Sequence, residues 1–261
     1  MIASEPPSQR AWLGVCGLIF AASVAATIAG AVSMSATGDM PMPGGWTLSM
    51  VWMPMCGQSW SGCAASFLEM WAVMMAAMML PSLVPMLLRY RDAVGATGAM
   101  RLGWLTALVG AGYFLVWTVL GSAVFAAGAA SASVALQWPA LARTVPALGA
   151  GIVLIAGALQ FTAWKLRHLG CCRQAPSHSL PADAATALRH GLRLGLHCIA
   201  ACAGLTGILL VIGVMELRAM ALVTIAITLE RFAPAGARAA RGIGAVVIGA
   251  GVVLMVRAGG L

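Results

Sequence analysis

Apolar residues dominate this chain in long runs, separated by short stretches where proline, glycine, charge and small polar residues collect. Seven runs stand out, at 11–33, 66–88, 102–128, 145–164, 192–214, 217–233 and 242–257. Each is too long for a strand and reads as a helix. A helix rises 1.5 Å per residue, so about 20 apolar residues cross a bilayer core. The pattern predicts an all-α, polytopic membrane helix bundle of seven transmembrane helices, one membrane domain over 1–261. The sixth run, about 17 residues, sits at the short limit for spanning. Were it re-entrant, six helices would remain and the C-terminus would change side.

The second run carries the most unusual chemistry. FLEMWAVMMAAMMLPSLVPMLLRYR, from Phe67 to Arg91, has Glu69 near one end, Arg89 and Arg91 at the other, and Pro81 and Pro85 between them. Met70, Met74, Met75, Met78 and Met79 fall on two adjoining stripes at i, i+4 spacing. Thioether sulfur is apolar enough for lipid and soft enough to hold Cu(I). The same side chains also suit gap-filling beside proline kinks. On this helix alone both interpretations stay open.

Composition narrows the class. With 61% hydrophobic and 8% charged residues, and a mean hydropathy of +0.95, the chain is expected in a bilayer rather than as a soluble domain. Its net charge of +8 does not indicate nucleic acid, because the basic residues sit at helix ends with no aromatic-interleaved basic run. They act instead as orientation signals. With the N-terminus inside, the inner side holds Arg10, Arg89, Arg91, Arg101, Lys165, Arg167, Arg173, Arg189, Arg193, Arg231, Arg238 and Arg241. The outer side holds Arg143, Arg218 and Arg257. Twelve against three predicts N-in/C-out in a bacterial inner (plasma) membrane. The apolar run after MIASEPPSQR lacks a small-x-small cleavage site, which predicts a retained helix and not a signal peptide.

Two connections are longer than linkage requires. The Met-rich outer loop, 34–65, holds Met34, Met40, Met42, Met50, Met53 and Met55, with Asp39, Cys56, Cys63 and three tryptophans. Residues 34–86 contain 12 of the 17 methionines, and half of that cluster lies outside the apolar run, where helix packing does not explain it. Met and Trp there also suit an interfacial plug. Facing an oxidising compartment, Cys56 and Cys63 have a disulfide and a metal site as competing fates. The inner loop, 165–191, holds His168, Cys171, Cys172, His178 and His190, with reduced thiols expected in a cytosol. His197, Cys198 and Cys202 lie within the fifth run. Cys198 and Cys202 are i, i+4, so both sulfurs share one helix face within reach of a single ion. Intramembrane histidine and paired cysteine mark a functional candidate, against the alternative of small packing residues. Gly and Ala crowd the third, fourth and seventh runs, which predicts close helix–helix packing faces.

Three stretches carry a family resemblance: AMMLPSLVPM in the second run, LQFTAWKLRHLGCCR at the end of the fourth, and GLHCIAACAGLTGILLVIGVMELRAM continuing through Glu230 and Pro234. Over roughly residues 66–235 the chain resembles a family of bacterial predicted metal-binding integral membrane proteins, a domain of unknown function. That family places cysteines three and seven residues after the lysine, where this chain has His168 and Cys172. Its fifth helix tends to carry three cysteines, where this chain has Cys198, Cys202 and Ala201. Its polar residue after Gly-Val-Met is Glu216 here. The resemblance implies a membrane protein that binds metal, and no reaction.

The resulting expectation is an integral membrane protein that binds or transfers a soft metal, copper above all, through Met, Cys and His. Candidates at the outer side are Glu69, Met53, Met55, Cys56 and Glu216. Near the midplane they are Met74, Met75, Met78, Met79, Cys198 and Cys202, and toward the inside His168, Cys172 and His197. The midplane cysteines are expected to share an ion with Met75, Met78 or Met79. Several weak soft sites in series permit movement, and a soluble metal-delivering protein is a natural partner. Two alternatives remain: a membrane-embedded metal-dependent redox enzyme component, or a partner subunit without metal. Haem is disfavoured, because only His197 is clearly intramembrane and His190 shares its helix. No P-loop, dinucleotide fingerprint or Ser-His-Asp set is present, so no nucleotide is expected.

Overall fold

The computed structural model describes residues 7–35, 39–54, 57–95, 97–173, 180–214 and 216–259. Among them the chain forms α1 (Pro7–Ser35), a small hairpin of β1 (Met40–Met42) and β2 (Trp46–Leu48), α2 (Trp60–Val94), α3 (Ala99–Gln137), the short turn α4 (Pro139–Ala142), α5 (Val145–Leu159), α6 (Ala163–Arg173), α7 (Ala184–Ile212), α8 (Leu217–Phe232) and α9 (Gly236–Gly259). The ends carry the expected caps. Ser59 accepts a hydrogen bond from the Gly62 amide at 3.2 Å, and Asp183 accepts one from the Thr186 amide at 2.8 Å. That amide, with the Thr186 side chain and the Ala185 amide, holds the Asp183 carboxyl below the usual carboxylate range. Gly213, at φ +130°, ends α7 in a conformation that L side chains rarely adopt.

The fold is all-α apart from the hairpin. Every apolar run becomes helical, but the runs do not all become spans. Five helices, α1, α2, α3, α7 and α9, are long and apolar enough to cross a membrane, and α5 with α6 makes a sixth if the bent pair counts as one. The 16-residue α8 does not reach that length. The fourth run is interrupted because the chain tightens at its end. Gln160, Phe161 and Thr162 amides donate three residues back, to Gly157, Ala158 and Leu159. The Thr162 hydroxyl then accepts from the Lys165 amide at 3.2 Å and starts α6. The two helices meet at 66°. The stretch 165–191, expected as a loop, is therefore helical at both ends.

Helix α2 is the centre of the bundle. Of its most apolar window 61% is buried, against 6% for α1, which lies on the outside. α2 packs on α1, α3 and α8, while α7 packs on α3, α5, α6 and α8, and α5 packs on α9. Glycines let the last pairs approach. A Cβ at Gly191 of α7 would strike the Val109 carbonyl of α3, and one at Gly112 of α3 would lie 2.7 Å from the Leu188 carbonyl. Gly157, Gly244 and Gly251 do the same between α5 and α9. Large apolar side chains such as Leu18, Val119, Leu222 and Val246 point outward, which is compatible with insertion in a membrane.

The two ends of the bundle are distinct. At one, Gly44, Gly45, Arg143, Pro146 and Ala258 line one shallow pocket. The hairpin, the α3–α5 connection and the end of α9 thus share a face. Trp46 fixes the hairpin there by donating to the Ala142 carbonyl at 2.9 Å. At the opposite end Leu180 donates to the Ala93 carbonyl, and Arg101 to that of Ala182.

Candidate metal centre

Cys198 is the middle residue of the 29-residue α7, and Met79 lies two residues past the middle of α2. Both are fully buried. Their sulfurs are 4.0 Å apart. Cys202, one turn along α7, is 1% exposed. The Arg231 guanidinium of α8 bridges the two cysteines, one nitrogen lying 2.8 Å from Cys198 Sγ and 3.4 Å from Cys202 Sγ. The Tyr113 hydroxyl of α3 completes the surround, 2.9 Å from Cys198 Sγ. Four helices thus bring two thiols, a thioether, a phenol and a permanent positive charge to one point at mid-depth.

Beside this point lies a buried ion pair. Lys165 Nζ is 2.6 Å from Glu230 Oε2 and also donates to the Ala201 carbonyl of α7. The break between α5 and α6 makes this possible, because it turns the first residues of α6 inward at the level of Ala201. Lys165 and Arg231 are 3% and 7% exposed. Both were expected at the inner surface among the twelve orientation charges. The structure corrects that: both lie inside the bundle, Lys165 paired with Glu230 and Arg231 on the two cysteine sulfurs.

The other candidates are spread more widely. Met74, Met75 and Met78 are buried in the same core, but the thioether that meets Cys198 is that of Met79. His168 of α6 and His197 of α7 do come together, with 3.1 Å between their Nδ1 atoms and Trp164 edge-on to His168. Glu216 caps α8 through the Ala219 amide. Glu69 is exposed on α2, and Met53 is half-buried beside the hairpin. Cys63 turns toward the Val51 carbonyl, 3.6 Å away. Met55, Cys56 and the side chain of Cys172 lie outside the described residues. Tyr113 and Arg231 escaped sequence reasoning. Arg231 left one usable signal, a charge pair Glu230–Arg231 closing an apolar run.

The donor set suits a soft ion. Two metal–sulfur bonds of about 2.3 Å span at most about 4.6 Å between sulfurs, so the 4.0 Å from Cys198 to Met79 is compatible with one shared ion. Among the described residues no three of His, Cys, Asp and Glu gather as a metal cage. Thiol with thioether is the combination that favours Cu(I) over harder ions.

Comparison with curated proteins and with solved structures returns no match. A family model described as PpoB2, copper chaperone, matches residues 68–254. The match leaves out α1 and the Met-rich hairpin, and takes in Met79, Tyr113, Lys165, Cys198, Cys202, Glu230 and Arg231. It covers well over half of the chain, which therefore belongs to the PpoB2 family of copper chaperones.

Proposed function

We propose that this protein is a membrane-embedded copper chaperone that carries Cu(I) through the bundle on sulfur ligands. Cys198, Cys202 and Met79 are its central seat, and copper is cargo and not a resident cofactor. The observation that carries the proposal is the convergence of these three sulfurs at mid-depth, under Arg231 and Tyr113. The bundle supplies stations on either side. Met40, Met42, Met53 and Asp39 belong to the hairpin end, where a soluble protein would deliver the ion. The paired imidazoles of His168 and His197 lie on α6 and α7, and His197 is the immediate neighbour of Cys198. The two imidazoles offer an ion that leaves the thiols a pair of nitrogen ligands on α6 and α7.

In a bacterial inner membrane the hairpin end would face outward, N-in/C-out, a reading supported by the distribution of basic residues. The position of Ala258 beside Gly44 and Gly45 supports this parity. α8 enters from the hairpin end and α9 returns to it, so the C-terminal helix finishes on the hairpin side whether or not α8 crosses fully.

The test is copper stoichiometry of the full chain purified in detergent, wild type beside Cys198→Ala/Cys202→Ala. The double variant is expected to lose tight Cu(I) binding while remaining folded, since both side chains shrink by a single sulfur. Full copper stoichiometry in that variant would sink the proposal.

A further inference from the structure

Arg231 has no role in the proposed seat as a ligand, because a guanidinium has donors and no free lone pair. We infer that Arg231 is the specificity-determining residue of this seat, making it take a singly charged soft ion, Cu(I) or Ag(I), over a doubly charged soft ion such as Cd(II). The inference rests on Cys198, Cys202 and Met79 forming the seat, and adds which charge of ion that seat accepts.

The argument is one of charge in a dry place. Cysteine binds metal as thiolate. Two thiolates with a monovalent ion carry one net negative charge, and with a divalent ion none. Met79 and Tyr113 add no charge. Glu230 lies 2.6 Å from Lys165 and feels Arg231 as well, so these three residues together carry one net positive charge. Arg231 is permanently positive, 7% exposed and within 3.4 Å of both sulfurs. With Cu(I) the assembly of two thiolates, ion and guanidinium is neutral. With Cd(II) the buried group as a whole carries one excess positive charge, and excess charge away from water is strongly disfavoured. Softness does not separate these ions, since sulfur suits both. The counter-charge does.

The experiment is chelator competition on the detergent-purified full chain with Cu(I), Ag(I) and Cd(II). Arg231→Met is expected to weaken Cu(I) and Ag(I) at least about tenfold, equal to about 1.4 kcal/mol, while Cd(II) stays level or tightens. Arg231→Lys keeps a positive charge and is expected to keep the monovalent preference. If Arg231→Met does not fold, Arg231→Gln, neutral and polar, is measured in its place. A folded neutral variant with an unchanged Cu(I):Cd(II) ratio overturns the inference, and so does a lysine variant that loses the preference. Neither outcome touches the seat itself, whose failure shows only as retained copper after both cysteines are removed.

Discussion

At the scale of single residues, the pair Lys165–Glu230 is informative because both charges are buried. Burying one partner without the other leaves an uncompensated charge, a loss of about 3–5 kcal/mol. Glu230→Gln is expected to fall in that range by thermal unfolding in detergent. Lys165→Met/Glu230→Leu removes both charges and should recover most of it. Equal destabilisation in both would mean that the pair contributes packing and not charge matching. A second expectation concerns Met79. Leu is close to Met in volume, so Met79→Leu should unfold within about 1.5 kcal/mol of wild type, yet bind Cu(I) more weakly. Met78→Leu should leave copper unchanged, because its sulfur is not the one at Cys198. The i, i+4 cysteines were plain in the sequence, since that spacing fixes a shared face. Met79 was legible only as one of three methionines, Met75, Met78 or Met79, and Tyr113 and Arg231 not at all, because sequence sets depth along each helix but not which way the helix is turned.

Helices as units show why some elements were legible and others were not. Seven apolar runs gave seven helical regions, because hydropathy alone forces buried backbone in a bilayer to bond within its own helix. The break after Leu159 was invisible, since Gln160, Phe161 and Thr162 interrupt the apolar run no more than a helix end would. Only the Thr162 cap and the inward pull on Lys165 explain it. The hairpin was hidden as well, its three-residue strands being too short for an alternating pattern. Glycine seams offer the sharpest test at this scale. Gly191→Ala puts a methyl into the Val109 carbonyl, where backbone cannot yield, and should cost toward the upper end of about 1–3 kcal/mol. Gly110→Ala on α3 meets open space and should be neutral or slightly stabilising. Comparable melting of both variants would show that α3 and α7 are not in contact at this seam.

For the molecule as a whole, the two ends of the bundle make topology testable. Reporters active only outside the cytosol, fused after Leu261 or inserted at Gly45, are expected to agree, both being active. Disagreement between them would contradict the shared pocket at Gly44, Gly45 and Ala258. The glycine seam also divides labour within the bundle. Where backbones of α3 and α7 touch, neither can slide or rotate without collision, so this pair is the frame against which anything else is displaced. α8 carries no glycine, is too short at 16 residues to stand among the long apolar helices, and makes its polar links to α6 and α7 through the side chains of Glu230 and Arg231, which re-form bonds more readily than backbones re-pack. A cargo that must be released as well as held needs one such loosely latched part. Amide hydrogen exchange is therefore expected to be slowest around Val109 and Gly191 and distinctly faster along α8, and uniform protection would mean that the sulfurs are unlatched from some other side.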